Sequence, residues 1–321
     1  MKKLFSAFAF VVVAVCATAQ TIDIAKHFKS LKPRSIGPAG MSGRVTSIDA
    51  VWSNPNIIYL GTASGGVWKS ENGGASWAPI FDEQPILNIG SVAITQSNPS
   101  VIWAGTGEGN PRNSVSLGEG IYKSLDGGKT WKCMGLEKTR NIHRIIVDPT
   151  NPDVVYAGVM GNPFVPHPER GLYKTIDGGQ TWKLILHTND TSGVGDMVMD
   201  PVNPNKLFVN MYQHQRTPWS LQGGGKGSGF YVTYDGGKTF KEIGKENVHS
   251  DYHYAWMNGA KDSHMIIGND GGCNITYDNG EHWFFANTPP VGQFYSVTTD
   301  DDKPYNVYGG LQDNNVWYGP S

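Results

Sequence analysis

The sequence predicts an all-β fold, a β-propeller of four-stranded blades, and three observations carry that prediction. An eight-residue box recurs five times at a period of about fifty residues, the length of one four-stranded blade. Within each period lie four short runs rich in β-branched and aromatic residues, separated by Gly, Asn and Pro. Glycine is in excess, with 41 in 321 residues against about 7 % in average domains. Ten Trp and 14 Tyr accompany it without a collagen-like period, as many tight turns between aromatic strands require.

The boxes read Ser70-Glu-Asn-Gly-Gly-Ala-Ser-Trp77, Ser124-Leu-Asp-Gly-Gly-Lys-Thr-Trp131, Thr175-Ile-Asp-Gly-Gly-Gln-Thr-Trp182, Thr233-Tyr-Asp-Gly-Gly-Lys-Thr-Phe240 and Thr276-Tyr-Asp-Asn-Gly-Glu-His-Trp283. Their chemistry is that of a turn. Asp126, Asp177, Asp235 and Asp278 stand where a carboxylate accepts turn amides. The glycines after them can take positive φ, and the Ser or Thr adds a second side-chain bond. These aspartates read as structural, and the closing aromatic is expected to pack into its blade. Gly-Gly-Lys-Thr at 127–130 and 236–239 imitates the tail of a phosphate-binding loop. The glycine that such a loop needs five positions earlier is Lys123 or Val232, so that reading fails.

In chain order, residues 1–19 predict a signal peptide. Lys2 and Lys3 precede an apolar stretch from Leu4 to Cys16, and Ala17-Thr18-Ala19 forms a small-residue cleavage site. The stretch is shorter than the ~20 residues that span a bilayer. The chain is therefore expected to be exported by a bacterium and to lie in the periplasm, at the cell surface or outside, without a transmembrane segment. Residues 20–35 are a lead segment and 36–321 the propeller. Its blades are expected at about 36–85, 86–137, 138–188, 189–245 and 246–290, with an incomplete one at 291–321. These five and a half blades predict a fragment of a larger propeller, with further C-terminal blades or domains. In each blade the first strand is clearest: Arg44 to Trp52, Ile89 to Thr95, Ile142 to Asp148, Gly195 to Asp200, Tyr254 to Asn258 and Gln293 to Thr299. Cys133 and Cys273 are expected to be two separate buried thiols.

Charge points away from some partners. Twenty-six basic against 28 acidic residues give a formal charge of −2, only 17 % of residues are charged, and no like-charged run suggests a tail. A nucleic-acid binder is normally basic, so nucleic acid is not expected as a partner.

The box pattern resembles the Asp-box or BNR repeat of sialidases, xyloglucanase-type glycosidases, sortilin-like (VPS10) ectodomains and photosystem assembly factors. More closely, Ile36-Gly-Pro-Ala-Gly-Met-Ser-Gly-Arg44, Gly61-Thr-Ala-Ser-Gly-Gly-Val-Trp68, Gly105-Thr-Gly-Glu-Gly-Asn-Pro-Arg112 and Gly309-Gly-Leu-Gln-Asp-Asn314 resemble exported bacterial proteins. Those carry a sortilin N-terminal type propeller and are often called glycosyl hydrolase-like. The resemblance covers about residues 34–321 and is specific for fold, weak for activity.

Propeller topology places the loops between strands 2 and 3 on one face, together with the passages between blades, and the boxes on the other. The longest insertions, Thr106 to Glu119, Met160 to Arg170 and Met211 to Ser228, therefore crowd the face opposite the boxes, where loops on a rigid scaffold usually carry function. Its polar residues give the candidates for ligand binding: Arg44, Glu108, Arg112, His143, Arg144, His253 and Gln312. Glu108 and Arg112 either hold a polar ligand or pair with one another to brace their glycine-rich loop. Asp251, Asp270, Asp313 and Glu108 are the carboxylates to test for glycosidase chemistry, which needs two acids ~5 to 5.5 Å or ~6.5 to 9.5 Å apart. His249, Asp251 and His253 alternate along an extended segment, which puts them on one side as a ligand set for zinc or a similar ion. A hydrogen-bonded strand start is the plainer alternative, and no other cofactor is expected. Trp219 and Tyr212 are the aromatics expected at the surface. No Arg-Ile-Pro signature near the start supports a sialidase, since Arg34-Ser-Ile-Gly-Pro38 stands there, and Gly-x-Ser-x-Gly is missing.

Three functions from different classes remain open. First is a non-catalytic propeller that binds a peptide, protein or glycan on the long-loop face, as the resemblance to sortilin-like domains implies. Second is a glycoside hydrolase, xyloglucanase-like, that uses carboxylates of that face. Third is a structural or assembly factor of the cell envelope.

Overall fold

Each period folds into an antiparallel sheet whose strands follow one another in sequence order. The structure, a computed structural model, describes residues 43–320 except 111, 245–247, 250–251, 262, 287–291, 293 and 312–315. Blade I comprises β1 (Val45–Ala50), β2 (Ile58–Thr62), β3 (Val67–Ser70) and β4 (Ala78–Pro79); blade II, β5 (Ile89–Ile94), β6 (Ile102–Thr106), β7 (Ile121–Ser124) and β8 (Lys132–Cys133). Blade III follows with β9 (Ile142–Val147), β10 (Val155–Val159), β11 (Gly171–Thr175) and β12 (Lys183–Leu186). Blade IV has β13 (Ser192–Met199), β14 (Leu207–Arg216), β15 (Leu221–Gly223), β16 (Gly229–Thr233) and β17 (Lys241–Ile243). Blade V has β18 (Tyr252–Met257), β19 (Met265–Asn269), β20 (Gly272–Thr276) and β21 (Phe284–Phe285). A sixth sheet has three strands, β22 (Phe294–Thr299), β23 (Asn306–Leu311) and β24 (Val316–Pro320). In blade IV, β14 runs on past the sheet and pairs with β15 as a protruding hairpin.

The core lies between blades. Tyr59, Val67 and Phe81 of blade I meet Val92, Ile94 and Tyr122 of blade II, and like clusters join II to III, III to IV and IV to V. No such cluster among the described residues joins V to VI, where Val297 and Trp317 are exposed. Close approach demands glycine at one repeated point of the second strand. A Cβ on Gly61, Gly105 or Gly158 would stand 2.7 Å from a side-chain methyl of Ile89, Ile142 or Val194, the next blade's first strand.

The boxes form as their residues dictate. Ser124 Oγ donates to Asp126 at 2.8 Å and accepts from Gly128 N at 2.8 Å, while Asp126 accepts from Thr130 N at 2.9 Å and Thr130 Oγ1 at 2.6 Å. Ser70, Thr175, Thr233 and Thr276 repeat that geometry with Asn72, Asp177, Asp235 and Asp278. Bonds from Thr130 hold the Asp126 carboxyl at about 2, and Asp177 and Asp235 are lowered for the same reason by Thr181 and Thr239.

The closing aromatic does something different from what its box suggests. Instead of filling its own blade, Trp131 packs edge-on against Phe81 at 5.0 Å and donates its Nε1 to Ile80 O at 2.7 Å, both in the preceding blade. Trp182 does the same to Trp103 and Met134 O, and Trp283 lies against Phe230. Phe240 joins the cluster between blades III and IV. Trp77 has no described blade before it and stays 36 % exposed. A lysine strengthens two of these latches from the other side: Lys123 donates to Gly178 O and Lys174 to Gly236 O, both in the next box, whereas between blades I and II the donor to Gly127 O is Tyr59. Blade IV has Val232 at that position, and Lys206, just before β14, takes over by donating to Asn279 of the fifth box at 2.5 Å. Cys133 and Cys273 are separate free thiols, as expected, but half-buried rather than buried.

Candidate functional site

On the face opposite the boxes, each first strand opens with a β-bulge. The register slips by one residue at Thr46, Gly90, His143, Gly195, His253 and Tyr295. A bulge re-aims the residue beside it. Here the residues that follow, Ser47, Ser91, Arg144, Asp196 and Tyr254, all line one central cavity of about 510 Å³. This volume falls within the range of small-ligand sites.

Most polar atoms of that wall are already engaged. Ser47 Oγ accepts from Val92 N and Ser91 Oγ from Ile145 N, each across a blade boundary. Asp49 accepts from Ala50 N and Ile94 N, one on each oxygen, and its burial raises its pKa. Arg144 Nε donates to Asp196 Oδ1 at 2.7 Å. The two terminal nitrogens of Arg144 and Asp196 Oδ2 have no hydrogen-bond partner among the described residues. Asp196, Asp49 and both serines went unmarked in the sequence. The signal for the serines was positional, since each is the third residue of its first strand, opposite a glycine of the second; Asp196 instead faces Asn210 and Asp49 faces Tyr59.

Beside the cavity, Arg44 and Glu108 clasp each other across blades I and II, Nε to Oε1 and a terminal nitrogen to Oε2, both at 2.6 Å. Glu108 is 2 % exposed and its loop is pinned further by Asn141, whose Nδ2 donates to Glu108 O. The bracing expected between Glu108 and Arg112 is therefore made by Arg44, 64 residues away, and Arg112 is exposed. Both oxygens of Glu108 are thus engaged by Arg44. His143 stands at its bulge against Gly109, and burial with Arg144 beside it holds its pKa down at about 3.

The three long insertions join into one platform. Arg170, wholly buried, donates to the carbonyls of Asn162, Val165, Thr191 and His214. Arg216 N bonds Pro163 O at 2.7 Å, and Asn113 Nδ2 reaches Pro218 O at 3.4 Å, tying the insertions of blades II, III and IV together. At the tip of the β14–β15 hairpin Trp219 is 84 % exposed, whereas Tyr212 lies stacked on His214.

The other candidates fall mostly outside the described residues. Asp251, Gln312 and Asp313, and the side chain of His253, lie outside the described residues, so neither the metal set with His249 nor the acid pairs built on Asp251 or Asp313 are seen. Asp270 is half-buried after β19. Among the described residues no three His, Cys, Asp or Glu side chains are grouped to hold a metal, and no helix is long and apolar enough to cross a membrane.

Residues 119–270 match the Sortilin-Vps10 family model, described as sortilin, neurotensin receptor 3. The chain carries an Asp-box β-propeller that is similar, over these residues, to the sortilin family. The propeller is 24 % identical over 246 residues to a probable oligoxyloglucan-reducing end-specific xyloglucanase of Neosartorya fischeri, which covers 71 % of the chain and 27 % of that protein. It is 23 % identical over 246 residues to the xyloglucanase Xgh74A of Acetivibrio thermocellus, covering 67 % and 27 %. The chain thus spans about a quarter of the length of these relatives. Among solved structures, the GH74 xyloglucanase of Xanthomonas campestris superposes with a TM-score of 0.62 at 14 % identity, over 86 % of the chain and 43 % of that enzyme. The likeness to that structure is one of fold.

Proposed function

We propose that the propeller is exported and binds a polysaccharide of the xyloglucan class across the long-loop platform, without catalysis of its own. The observation that carries this reading is the platform itself, three insertions fastened into one surface with Trp219 fully presented at its tip. An exposed aromatic on a rigid base offers a sugar ring a flat apolar face at little entropic cost. The relatives are xyloglucanases by name, which favours glycan over peptide. Two of the carboxylates on this side, Glu108 and Asp196, carry an arginine each, an arrangement suited to holding loops and ligands.

Affinity electrophoresis in gels containing xyloglucan tests it. Retardation that Trp219→Ala weakens about tenfold supports the reading, and unretarded migration of the wild type refutes it. The relatives' names also favour a second reading, hydrolysis. Reducing ends released from xyloglucan and lost in Asp251→Asn or Asp313→Asn would replace binding with catalysis.

A further inference from the structure

We propose that the central cavity is a second, smaller subsite that holds one neutral pyranose unit of the same glycan, with the Arg144–Asp196 pair as its recognition element. This rests on the polysaccharide reading above and specifies what the axis of the propeller contributes to it.

The argument is one of unclaimed atoms. Around the cavity the serine hydroxyls and both oxygens of Asp49 are engaged with backbone amides of their own or the neighbouring blade. Arg144 spends only Nε on Asp196, and Asp196 spends only Oδ1, on Arg144 Nε and Met197 N. Both side chains line the cavity. Two terminal guanidinium nitrogens therefore stand beside one free carboxylate oxygen, donors next to an acceptor. A hydroxyl both donates and accepts, so neighbouring hydroxyls on a sugar edge satisfy the two together. A bare anion meets the donors but faces Asp196 and Asp49; a bare cation meets the carboxylates but faces Arg144. The pair thus selects a neutral, hydroxylated ligand over either ion.

The rest of the wall suits the same ligand. Tyr254, 64 % exposed, presents a ring at the equivalent position of blade V, and Ile145, Met197 and Val198 supply apolar surface. Such a mixture of a few fixed polar groups in an apolar wall is usual for small-ligand sites. The geometry is rigid because the pair bridges two blades: Arg144 belongs to β9 and Asp196 to β13, and each follows its strand's bulge.

Isothermal titration of the full chain with xyloglucan polymer and with a short xyloglucan oligosaccharide tests the proposal, using Arg144→Met, Asp196→Asn, Ile48→Trp and Trp219→Ala. Ile48 is an exposed residue of the cavity wall, so its replacement by Trp fills the space and leaves the ion pair intact. The expected result is a loss of at least tenfold in oligosaccharide affinity for the first three variants, with the Ile48→Trp protein keeping its wild-type melting temperature. Trp219→Ala is expected to weaken the polymer and spare the oligosaccharide. Glucuronate as competitor is expected to be at least tenfold weaker than glucose. If Ile48→Trp and Asp196→Asn bind the oligosaccharide as the wild type does while Trp219→Ala loses the polymer, the cavity subsite is overturned and the platform stands. If glucuronate competes as well as glucose, the selection of a neutral ligand is wrong. If the wild type binds neither probe, the polysaccharide reading fails, and the subsite with it.

Discussion

Replacing box tryptophans one at a time separates a latch between blades from a filler within one. If the closing aromatic packed inside its own blade, Trp77→Ala and Trp131→Ala would cost alike, since their boxes are alike. In the structure Trp131 touches Phe81 edge-on at 5.0 Å and bonds Ile80 O, while Trp77 remains 36 % exposed. Truncating a buried aromatic costs ~3 to 5 kcal/mol, and a lost hydrogen bond that leaves a carbonyl unsatisfied ~1 to 3 kcal/mol. Because Trp131 is only partly buried, the lower part of that range applies, about 3 to 4 kcal/mol in all. Trp77→Ala removes a side chain that keeps part of its water contact and makes no bond to a preceding blade, so about 1 kcal/mol is expected. Trp131→Phe keeps the ring and loses the bond, and should fall between, near 1.5 kcal/mol. Urea unfolding followed by tryptophan fluorescence and circular dichroism measures all three. Equal costs for Trp77→Ala and Trp131→Ala, within 0.5 kcal/mol as in independent surface sites, would refute the latch.

Two further expectations come from the long-loop face. His143 and His214 are held neutral, at about 3 and about 4, by burial and then by Arg144 and Arg170 respectively. With folded values below the unfolded one near 6.5, the unfolded chain binds protons that the folded chain refuses, so stability is lost as pH falls from 6.5 towards 4. At most ~3 kcal/mol per pH unit is at stake for the two together, and melting curves should show that slope flatten in His143→Gln and His214→Gln proteins. Glu108→Gln should lower the unfolding free energy by about 1 to 2 kcal/mol after allowance for screening, and the melting temperature with it, because it strips the charge from a buried carboxylate whose arginine partner is 38 % exposed. Arg112→Ala should change nothing measurable, and a loss equal to that of Glu108→Gln would restore the pairing within the loop.

Much of the fold was legible because its determinants are local. Box residues bond to one another within five positions, and Asn72 serves in blade I where Asp serves elsewhere because an amide oxygen accepts Ser76 N as a carboxylate would. The long insertions were legible because their lengths break the period. The candidate site was legible only as a collection. Arg44, Glu108 and Arg144 carried the right residue types, yet Glu108 looked paired to Arg112, four residues on, and Asp196 looked like any strand residue. Lys206 shows the same limit, since nothing in the sequence around it says that it substitutes for the lysine missing at Val232.

The sequence by itself determined the unit: four strands, a carboxylate turn and a glycine where the next blade presses close, all fixed by hydrogen bonds and steric contacts within one period. Tertiary structure decided what the units do to each other. Which arginine meets which acid, which tryptophan latches which blade and which five residues share a cavity depend on the angle and spacing of successive sheets about the axis. Those contacts join residues some fifty positions apart, Arg144 to Asp196 and Trp131 to Ile80, through space that no local pattern encodes.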